Sequence, residues 1–263
     1  MNILETIVAR KKTEVAARKA VVSVDALQRE TLFARNTILL HPFLADENRT
    51  GIIAEFKRKS PSKGIINATA DVIEVTNAYA QHGASCLSVL TDDYFFGGTP
   101  DDLIRARVNN IPILRKDFMI DAYQFYEAKA LGADVVLLIA ACLSVQQVQS
   151  FAVLAKSLGL QVLLEIHNHE ELEHICDEVD FVGVNNRNLK TFEVNIQTSL
   201  ELIHKIPTDK PAVAESGISS VDTIVTLRRA GFKGFLIGEN FMKQAQPSIA
   251  FADFVQQLKA TTV

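Results

Sequence analysis

Glycine and cysteine are scarce in this chain of 263 residues. It has 12 glycines, below the roughly 7% of an average globular protein. No two of them stand as Gly-x-Gly, which excludes the dinucleotide-binding fingerprint, and the Walker A loop is absent as well. The cysteines Cys86, Cys142 and Cys176 are odd in number and far apart, so no disulfide framework or zinc-ligand set is indicated. We expect a cytoplasmic protein without a metal or a cofactor.

Long apolar runs and excess positive charge are also missing. The longest unbroken apolar run is Val135–Leu143, about half the length of a membrane-spanning helix. Charged residues near the amino terminus interrupt any apolar region of a signal peptide. The net charge of −4 argues against a general nucleic-acid surface. We therefore expect neither a membrane nor a nucleic acid as a partner.

Beyond residue 50 the chain alternates short β-branched apolar runs with amphipathic stretches. Fully apolar runs are typical of parallel strands covered by helices. Eight βα units favour a (β/α)8 TIM barrel, in the α/β class, over an open doubly wound sheet. The predicted strands are Ile52–Phe56, Cys86–Leu90, Ile113–Arg115, Val135–Ile139, Val162–Glu165, Phe181–Val184, Ala212–Ala214 and Gly234–Ile237.

Residues 1–50 precede this repeat and are predicted to form a helical N-terminal extension. We expect one helix near Leu4–Lys19, a shorter one near Val24–Phe33, and a linker through His41-Pro42. Residues 1–263 are then a single barrel domain, with the extension as part of the cover of its site. Within the repeat, Thr99-Pro100 is a helix start and Asn168 with Glu171 has capping-box spacing.

Charged and polar residues close five of the predicted strands. The active site of a barrel lies at the carboxyl ends of its strands, and isolated charges are costly to bury there. We expect the mutual effects of these lysines and glutamates to move their pKa values toward neutrality, which suits general acid–base catalysis. For any single residue, a structural ion pair that seals the barrel end is the alternative. The residues are Glu55, Lys57, Lys116, Glu165, Asn185, Arg187 and Glu215.

Two loops are predicted to bind a phosphate. Ser216-Gly217 and Gly238-Glu239-Asn240 follow the seventh and eighth strands, where barrels bind phosphate, and glycine lets backbone N–H groups approach an anion. Ordinary turn glycines are the alternative. Phe96 and Phe118 are placed to wall an aromatic substrate, or else anchor their loops. Segment 57–63 carries four positive charges and forms either an electropositive lip or a solvated loop.

The histidines after the fifth strand do not form a metal signature. His169 and His174 lack the i, i+4 spacing of a helical zinc pair. His167-x-His169 has no third ligand at a suitable spacing. Schiff-base chemistry at Lys57 or Lys116 remains open.

Five strand-end motifs resemble those of the indole-3-glycerol phosphate synthase family. Residues 55–62, Glu-Phe-Lys-Arg-Lys-Ser-Pro-Ser, resemble its Glu-x-Lys-x-x-Ser-Pro-Ser motif. Segments 114–118, 164–165, 184–189 and 214–218 add to the resemblance, which covers essentially the whole chain. Two positions depart from it: Asn188 replaces a usual aspartate, and Glu239-Asn240 replaces the serine or alanine of some members. Glu239 is therefore expected to turn its carboxylate away from a phosphate.

The resemblance implies a carboxy-lyase of tryptophan biosynthesis. The expected reaction converts 1-(2-carboxyphenylamino)-1-deoxyribulose 5-phosphate to indole-3-glycerol phosphate, CO2 and water. We assign Lys116 as the principal general acid and Glu165 with Glu55 to the proton transfers of dehydration. By resemblance, Lys57 holds the substrate carboxylate. Further residues are assigned to binding: Ser60 and Arg187 to anionic groups, Phe96 and Phe118 to the ring, Asn185 and Glu215 to hydroxyls, and Ser216, Gly217, Gly238 and Glu239 to the phosphate.

Two other functions stay open at this point. A ketose isomerase acting on phosphoribosyl anthranilate would share the phosphate loops, but the segment from Glu55 to Ser62 and the extension speak against it. A non-catalytic barrel that binds a phosphorylated ligand would not need three carboxylates opposite two lysines. The sequence does not indicate the oligomeric state or contacts with other tryptophan-pathway enzymes.

Overall fold

Eight parallel strands close into a barrel in the computed structural model, which describes residues 2–189 and 191–261. Each strand pairs with the next along the chain, and the last pairs with the first. All eight predicted strands are confirmed, several of them one residue longer than expected. The strands are β1 (Ile52–Phe56), β2 (Cys86–Leu90), β3 (Ile113–Lys116), β4 (Val135–Ile139), β5 (Gln161–Ile166), β6 (Phe181–Asn185), β7 (Ala212–Glu215) and β8 (Gly234–Ile237).

Helices surround the barrel and precede it. Single 3₁₀ turns lie at Ala140–Cys142, Glu170–His174 and Ile203–Lys205. No helix within residues 2–189 or 191–261 is long and apolar enough to cross a membrane. The α-helices are α1 (Ile3–Val21), α2 (Val24–Leu27), α3 (Leu40–Ala45), α4 (Val72–Gln81), α5 (Asp93–Phe96), α6 (Pro100–Ala106), α7 (Tyr123–Leu131), α8 (Val145–Ser157), α9 (Gln197–Leu202), α10 (Val221–Ala230), α11 (Glu239–Met242) and α12 (Pro247–Thr261).

The two-residue period of the strands separates an apolar interior from a polar mouth. Ile53 and Leu163 belong to the apolar cluster inside the barrel. Two residues further along the same strands, Glu55 and Glu165 line the pocket at the carboxyl ends. Successive side chains of a strand point to opposite faces, so this step of two keeps both residues of a strand on the inner face. The same step relates Leu114 to Lys116 and Val213 to Glu215.

The extension differs from its prediction at two places. A helix, α3, replaces the linker predicted through His41-Pro42, because a proline in the first turn removes no intrahelical hydrogen bond. The second predicted helix ends early, since α2 stops at Leu27 and turns follow. A small hairpin of Lys59–Ser60 with Gly64–Ile65 was also not predicted.

The extension reaches both ends of the barrel. At the mouth, Ile3 and Ile7 of α1 line the pocket. At the base, the Leu40 N–H donates to the Gln161 side chain, and the His41 ring lies 4.3 Å from that of Phe181. The extension, as described over residues 2–50, thus contributes to the site as well as closing the bottom of the barrel.

Candidate active site

A single pocket at the carboxyl ends of the strands brings together most of the predicted site residues. Helix α1 supplies apolar side chains to one wall, and the strands supply the charges below it. The predicted residues that line this pocket are Glu55, Lys57, Ser60, Phe96, Lys116, Phe118, Glu165, Asn185, Arg187, Glu215, Ser216 and Glu239. Gly217 and Gly238 line an adjoining recess, which shares Ser216 and Glu239 with the pocket.

Lys116 occupies the centre of the charged floor. Its Nζ donates to Glu165 Oε2 at 2.9 Å and to Glu215 Oε2 at 3.0 Å. Burial disfavours the charge, but Glu165, Glu215 and Glu55 outweigh burial and raise the pKa of Lys116 above its ordinary value. The predicted shift of its pKa toward neutrality is therefore wrong, because an opposite charge favours the charged form, and the lysine carries a proton next to two carboxylates.

The two carboxylates that contact Lys116 differ in character. Burial raises the pKa of Glu165, but Lys116 and His167 overcome it and hold that pKa well below the ordinary value. Glu215 lacks such support: burial and the nearby Glu165 together raise its pKa to about 7, against the opposing effect of Lys116. Glu165 is thus a carboxylate in the resting site, whereas the pKa of Glu215 lies near neutrality. Environments that separate the pKa values of two acids are a feature of acid–base sites.

Small residues make room for the carboxylates of Glu215 and Glu55. A Cβ on Gly183 would lie 2.2 Å from Glu215 Oε1, which accepts no hydrogen bond from the described residues. A Cβ on Gly238 would lie 2.8 Å from the Cβ of Glu55. Glu55 in turn accepts from Lys57 Nζ at 2.6 Å. The Lys57–Glu55 pair therefore packs against the loop after β8.

Aromatic and aliphatic side chains form the opposite wall. The rings of Phe96 and Phe118 are 6.0 Å apart, and Ile3, Leu4 and Ile7 of α1 complete the surface. A flat aromatic group bound between these residues would lose its water on both faces. The burial of apolar area there favours binding by about 25 cal/mol per Å².

The recess beside the pocket carries backbone geometry suited to an anion. Ser216 and Gly217 have positive φ values of 67° and 76°, and turns of such backbone can direct their N–H groups at an anion. Helix α11 begins just after Gly238. The Glu239 carboxylate lies 3.6 Å from Arg187 and 3.8 Å from Lys63. It therefore has cationic partners of its own.

Comparison with known proteins identifies the family. A family model described as indole-3-glycerol phosphate synthase matches residues 4–254. The chain belongs to the indole-3-glycerol phosphate synthase family. A protein of that name from Bacteroides thetaiotaomicron is 46% identical over 259 residues, 98% of this chain and 99% of the relative. Another, from a Polaromonas species, is 45% identical over 258 residues, 95% of this chain and 97% of the relative.

Solved structures of tryptophan synthase from Pyrococcus furiosus share the barrel. One, described as the α2β2 complex, has a TM-score of 0.60, and a mutant α-subunit has 0.61. Both are 17% identical to this chain and cover 81% of it and 99% of their own chains. At that identity the likeness concerns the fold alone.

Some positive charges in this indole-3-glycerol phosphate synthase family member point away from the pocket. Arg58 forms a two-pronged pair with the buried Asp102, at 2.7 and 2.8 Å. Lys59 donates to the backbone carbonyl of Tyr94. Of the four charges in segment 57–63, Lys57 faces the pocket and Lys63 the recess. The electropositive lip predicted from that segment is therefore only half as charged as its composition suggests.

Two charged groups, Lys11 and His167, have carboxylate partners that the sequence does not predict. Lys11 on α1 is only 1% exposed and lies 2.7 Å from Asp92 and 3.0 Å from Asp117. His167 contacts Glu165 from the loop after β5. In the described segments, no group of three or more histidine, cysteine, aspartate or glutamate side chains is arranged to hold a metal ion.

Proposed function

We propose that this chain closes the indole ring of indole-3-glycerol phosphate. It would convert 1-(2-carboxyphenylamino)-1-deoxyribulose 5-phosphate to indole-3-glycerol phosphate, CO2 and water. Membership of the family supports the reaction. The observation that carries the mechanism is the placement of Lys116 between Glu165 and Glu215, under an aromatic wall and beside an anion recess.

In the proposed binding mode, each group of the substrate contacts a different part of the site. Phe96 and Phe118 hold the anthranilate ring, and Lys57 holds its carboxylate. Ser60 and Arg187 support the anionic groups, while Asn185 and Glu215 bind ribulose hydroxyls. The N–H groups around Ser216, Gly217, Gly238 and Glu239 hold the phosphate, with the Glu239 side chain turned toward Arg187 and Lys63.

Ring closure requires an acid at the ribulose carbonyl. The ring carbon that bears the carboxylate attacks this carbonyl carbon, and Lys116 donates a proton to the oxygen as it becomes a hydroxyl. The C–CO2 bond then breaks, and its electron pair restores the aromatic ring. Burial in a site of fixed charges makes such a positioned acid effective, and general acid catalysis contributes about 10²–10⁴-fold in rate.

Dehydration completes the indole. The new hydroxyl leaves as water with a proton relayed through Glu165, while Glu55 accepts the proton released on the nitrogen side of the ring. Lys116, which gave up its proton in ring closure, first regains one from solvent, because the overall reaction takes up one proton as the carboxylate leaves as CO2. The 2.9 Å contact between Lys116 and Glu165 then carries that proton to the leaving hydroxyl. Coupled groups of this kind titrate together, so the pH profile reports the Lys116–Glu165 pair.

The test is a direct assay with the purified chain and this substrate. Turnover should release CO2 and produce indole fluorescence, which is unobscured because the chain contains no tryptophan. Formation of the ketose product from phosphoribosyl anthranilate without CO2 would instead indicate the isomerase. Tight binding without turnover would indicate a binding protein. We expect the reaction to occur in the cytoplasm, in keeping with cysteines that are all free.

A further inference from the structure

A histidine just outside the pocket bridges two glutamates. His167 follows β5, and its side chain is 9% exposed. Its Nε2 lies 3.1 Å from Glu165 Oε1, and its Nδ1 lies 3.1 Å from Glu171 Oε2. The Nε2 atom has no aligned hydrogen bond to any described residue, so its contact with Glu165 is that of an ion pair.

Glu171 is itself fixed in place. One of its oxygens, Oε2, also accepts from the His167 backbone N–H at 2.7 Å. The other, Oε1, accepts from the Asn168 side-chain amide at 3.0 Å, and the Glu171 N–H donates back to Asn168. This is the capping-box spacing of the sequence, but the turn it begins is the short 3₁₀ segment Glu170–His174. The glutamate therefore clamps the histidine as well as starting a helical turn.

The histidine acts on the outer oxygen of Glu165. That oxygen, Oε1, also accepts from the Asn185 side chain at 3.1 Å, while Oε2 faces Lys116. We propose that His167, clamped by Glu171, is a positioning residue that fixes the Glu165 carboxylate with Oε2 toward Lys116. This inference rests on the proposed function, in which Glu165 relays a proton. Because His167 is not among the residues that line the pocket, it acts through Glu165 alone.

Charge reinforces the positioning. Burial opposes a charge on His167, but the contacts with the Glu165 and Glu171 carboxylates outweigh it and raise the pKa of the imidazole to about 10. The titratable groups that face this pair are Lys116 from β3, Glu215 from β7, Glu171 from the 3₁₀ turn and Cys142 from the turn after β4. Of these, only Lys116 is a cation. Loss of His167 therefore removes one of two positive charges that keep Glu165 ionised.

Kinetics of His167→Leu and His167→Gln test the proposal. Groups that orient metal ligands typically change activity about 10–100-fold when lost, and we expect a fall of that order in kcat for His167→Leu. KM should stay within about twofold, and the acid limb of the kcat/KM profile should move to higher pH. His167→Gln keeps an amide donor and should recover part of kcat without restoring the acid limb.

Glu171→Gln and His174→Gln complete the design. Glu171→Gln should produce a smaller loss of kcat in the same direction, and combined with His167→Leu it should add nothing, because both act through one contact. His174 is a buried histidine of the same turn whose Nε2 donates to the Leu143 carbonyl, and it does not contact Glu165. His174→Gln should therefore leave kcat and the acid limb unchanged.

An NMR titration of the wild-type imidazole provides a readout independent of activity. We expect His167 to remain protonated at pH 8 and to titrate at lower pH in Glu165→Gln. A neutral His167 at pH 7, or a folded His167→Leu variant with wild-type kcat and acid limb, would overturn the proposal. If the wild type does not turn over the substrate while His167 titrates as expected, the proposed function fails and the clamp on Glu165 stands.

Discussion

Replacing Lys11 by methionine tests how the extension is held over the mouth. The Lys11 ammonium contacts Asp92, Asp117 and Glu14. Asp92 caps the helix that carries Phe96, and Asp117 immediately precedes Phe118. One buried cation therefore joins α1 to both loops of the aromatic wall, and methionine keeps its length and removes its charge.

The size of the expected loss in stability depends on which partners Asp92 and Asp117 keep when the Lys11 ammonium is removed. Asp117 keeps Arg115 at 3.0 Å and Thr91 at 2.7 Å, whereas the Asp92 side chain keeps, among the described residues, only the Phe95 N–H on Oδ1. Removal of one partner of a buried ion pair costs about 3–5 kcal/mol. For a protein of this size each kcal/mol corresponds to about 2–4 °C in Tm, so Lys11→Met should melt about 6–20 °C below the wild type.

The pKa shifts of Lys11 and Asp117 determine how the difference in Tm between the wild type and Lys11→Met varies with pH. Asp117 and Asp92 overcome the effect of burial and raise the pKa of Lys11 above 10.5, so its contribution to stability is complete below that pH and is lost as the pH rises through the folded-state value. Arg115 and Lys11 overcome burial at Asp117 and lower its pKa from 3.8 to about 2. Its contribution is complete above 3.8 and is lost as the pH falls toward 2. We expect a nearly constant difference in Tm between about pH 5 and 9.

Thermal denaturation and steady-state kinetics provide the measurements. Lys11→Met should also raise KM, since Ile3 and Ile7 of the same helix line the pocket. Lys12→Met, at an exposed position of that helix, is the matched control and should change Tm by less than about 2 °C. Lys11→Met with Asp92→Asn should recover part of the lost stability. A Tm for Lys11→Met equal to that of Lys12→Met would refute the reasoning.

Three further predictions concern the site. Lys116→Ala should lower kcat by at least about 10²-fold, the lower range for a positioned acid, in the CO2-release assay; near-normal turnover would contradict its role. Lys57→Ala should raise KM at least as much as it lowers kcat, and a change in kcat alone would assign it to chemistry instead. Gly238→Ala should lower kcat/KM because its Cβ would lie 2.8 Å from the Glu55 Cβ. An unchanged kcat/KM would show that the loop shifts to accommodate the methyl group without disturbing Glu55.

The sequence predicts the barrel and its mouth well because both depend on the two-residue alternation of side chains along each strand. An apolar residue inside a strand and a charged residue two positions later, as in Ile53 and Glu55, imply the inner face and the mouth together. The prediction of a linker at His41-Pro42 was wrong, because proline breaks the interior of a helix but is accepted in its first turn, where Pro42 lies.

The missed groups depend on contacts that no local pattern shows. Lys11 looks like a surface residue of an amphipathic helix, and its partners Asp92 and Asp117 lie far along the chain. Arg58 was interpreted with its charged neighbours, yet Asp102 takes it out of the pocket. His167 was considered only as a metal ligand, because its carboxylate partners become evident only when the strand end and the following turn are in place.

The attachment of the extension to both ends of the barrel has a consequence for the order of folding. Arg18 binds Glu127 across 109 residues of sequence, and Leu40 binds Gln161 across 121. A chain synthesised from its amino terminus makes the extension first, but these partners belong to helix α7 and strand β5. The extension, which is made before the barrel, can therefore dock fully only after β5 has been made. Its docked position requires that the strands it contacts have already assembled.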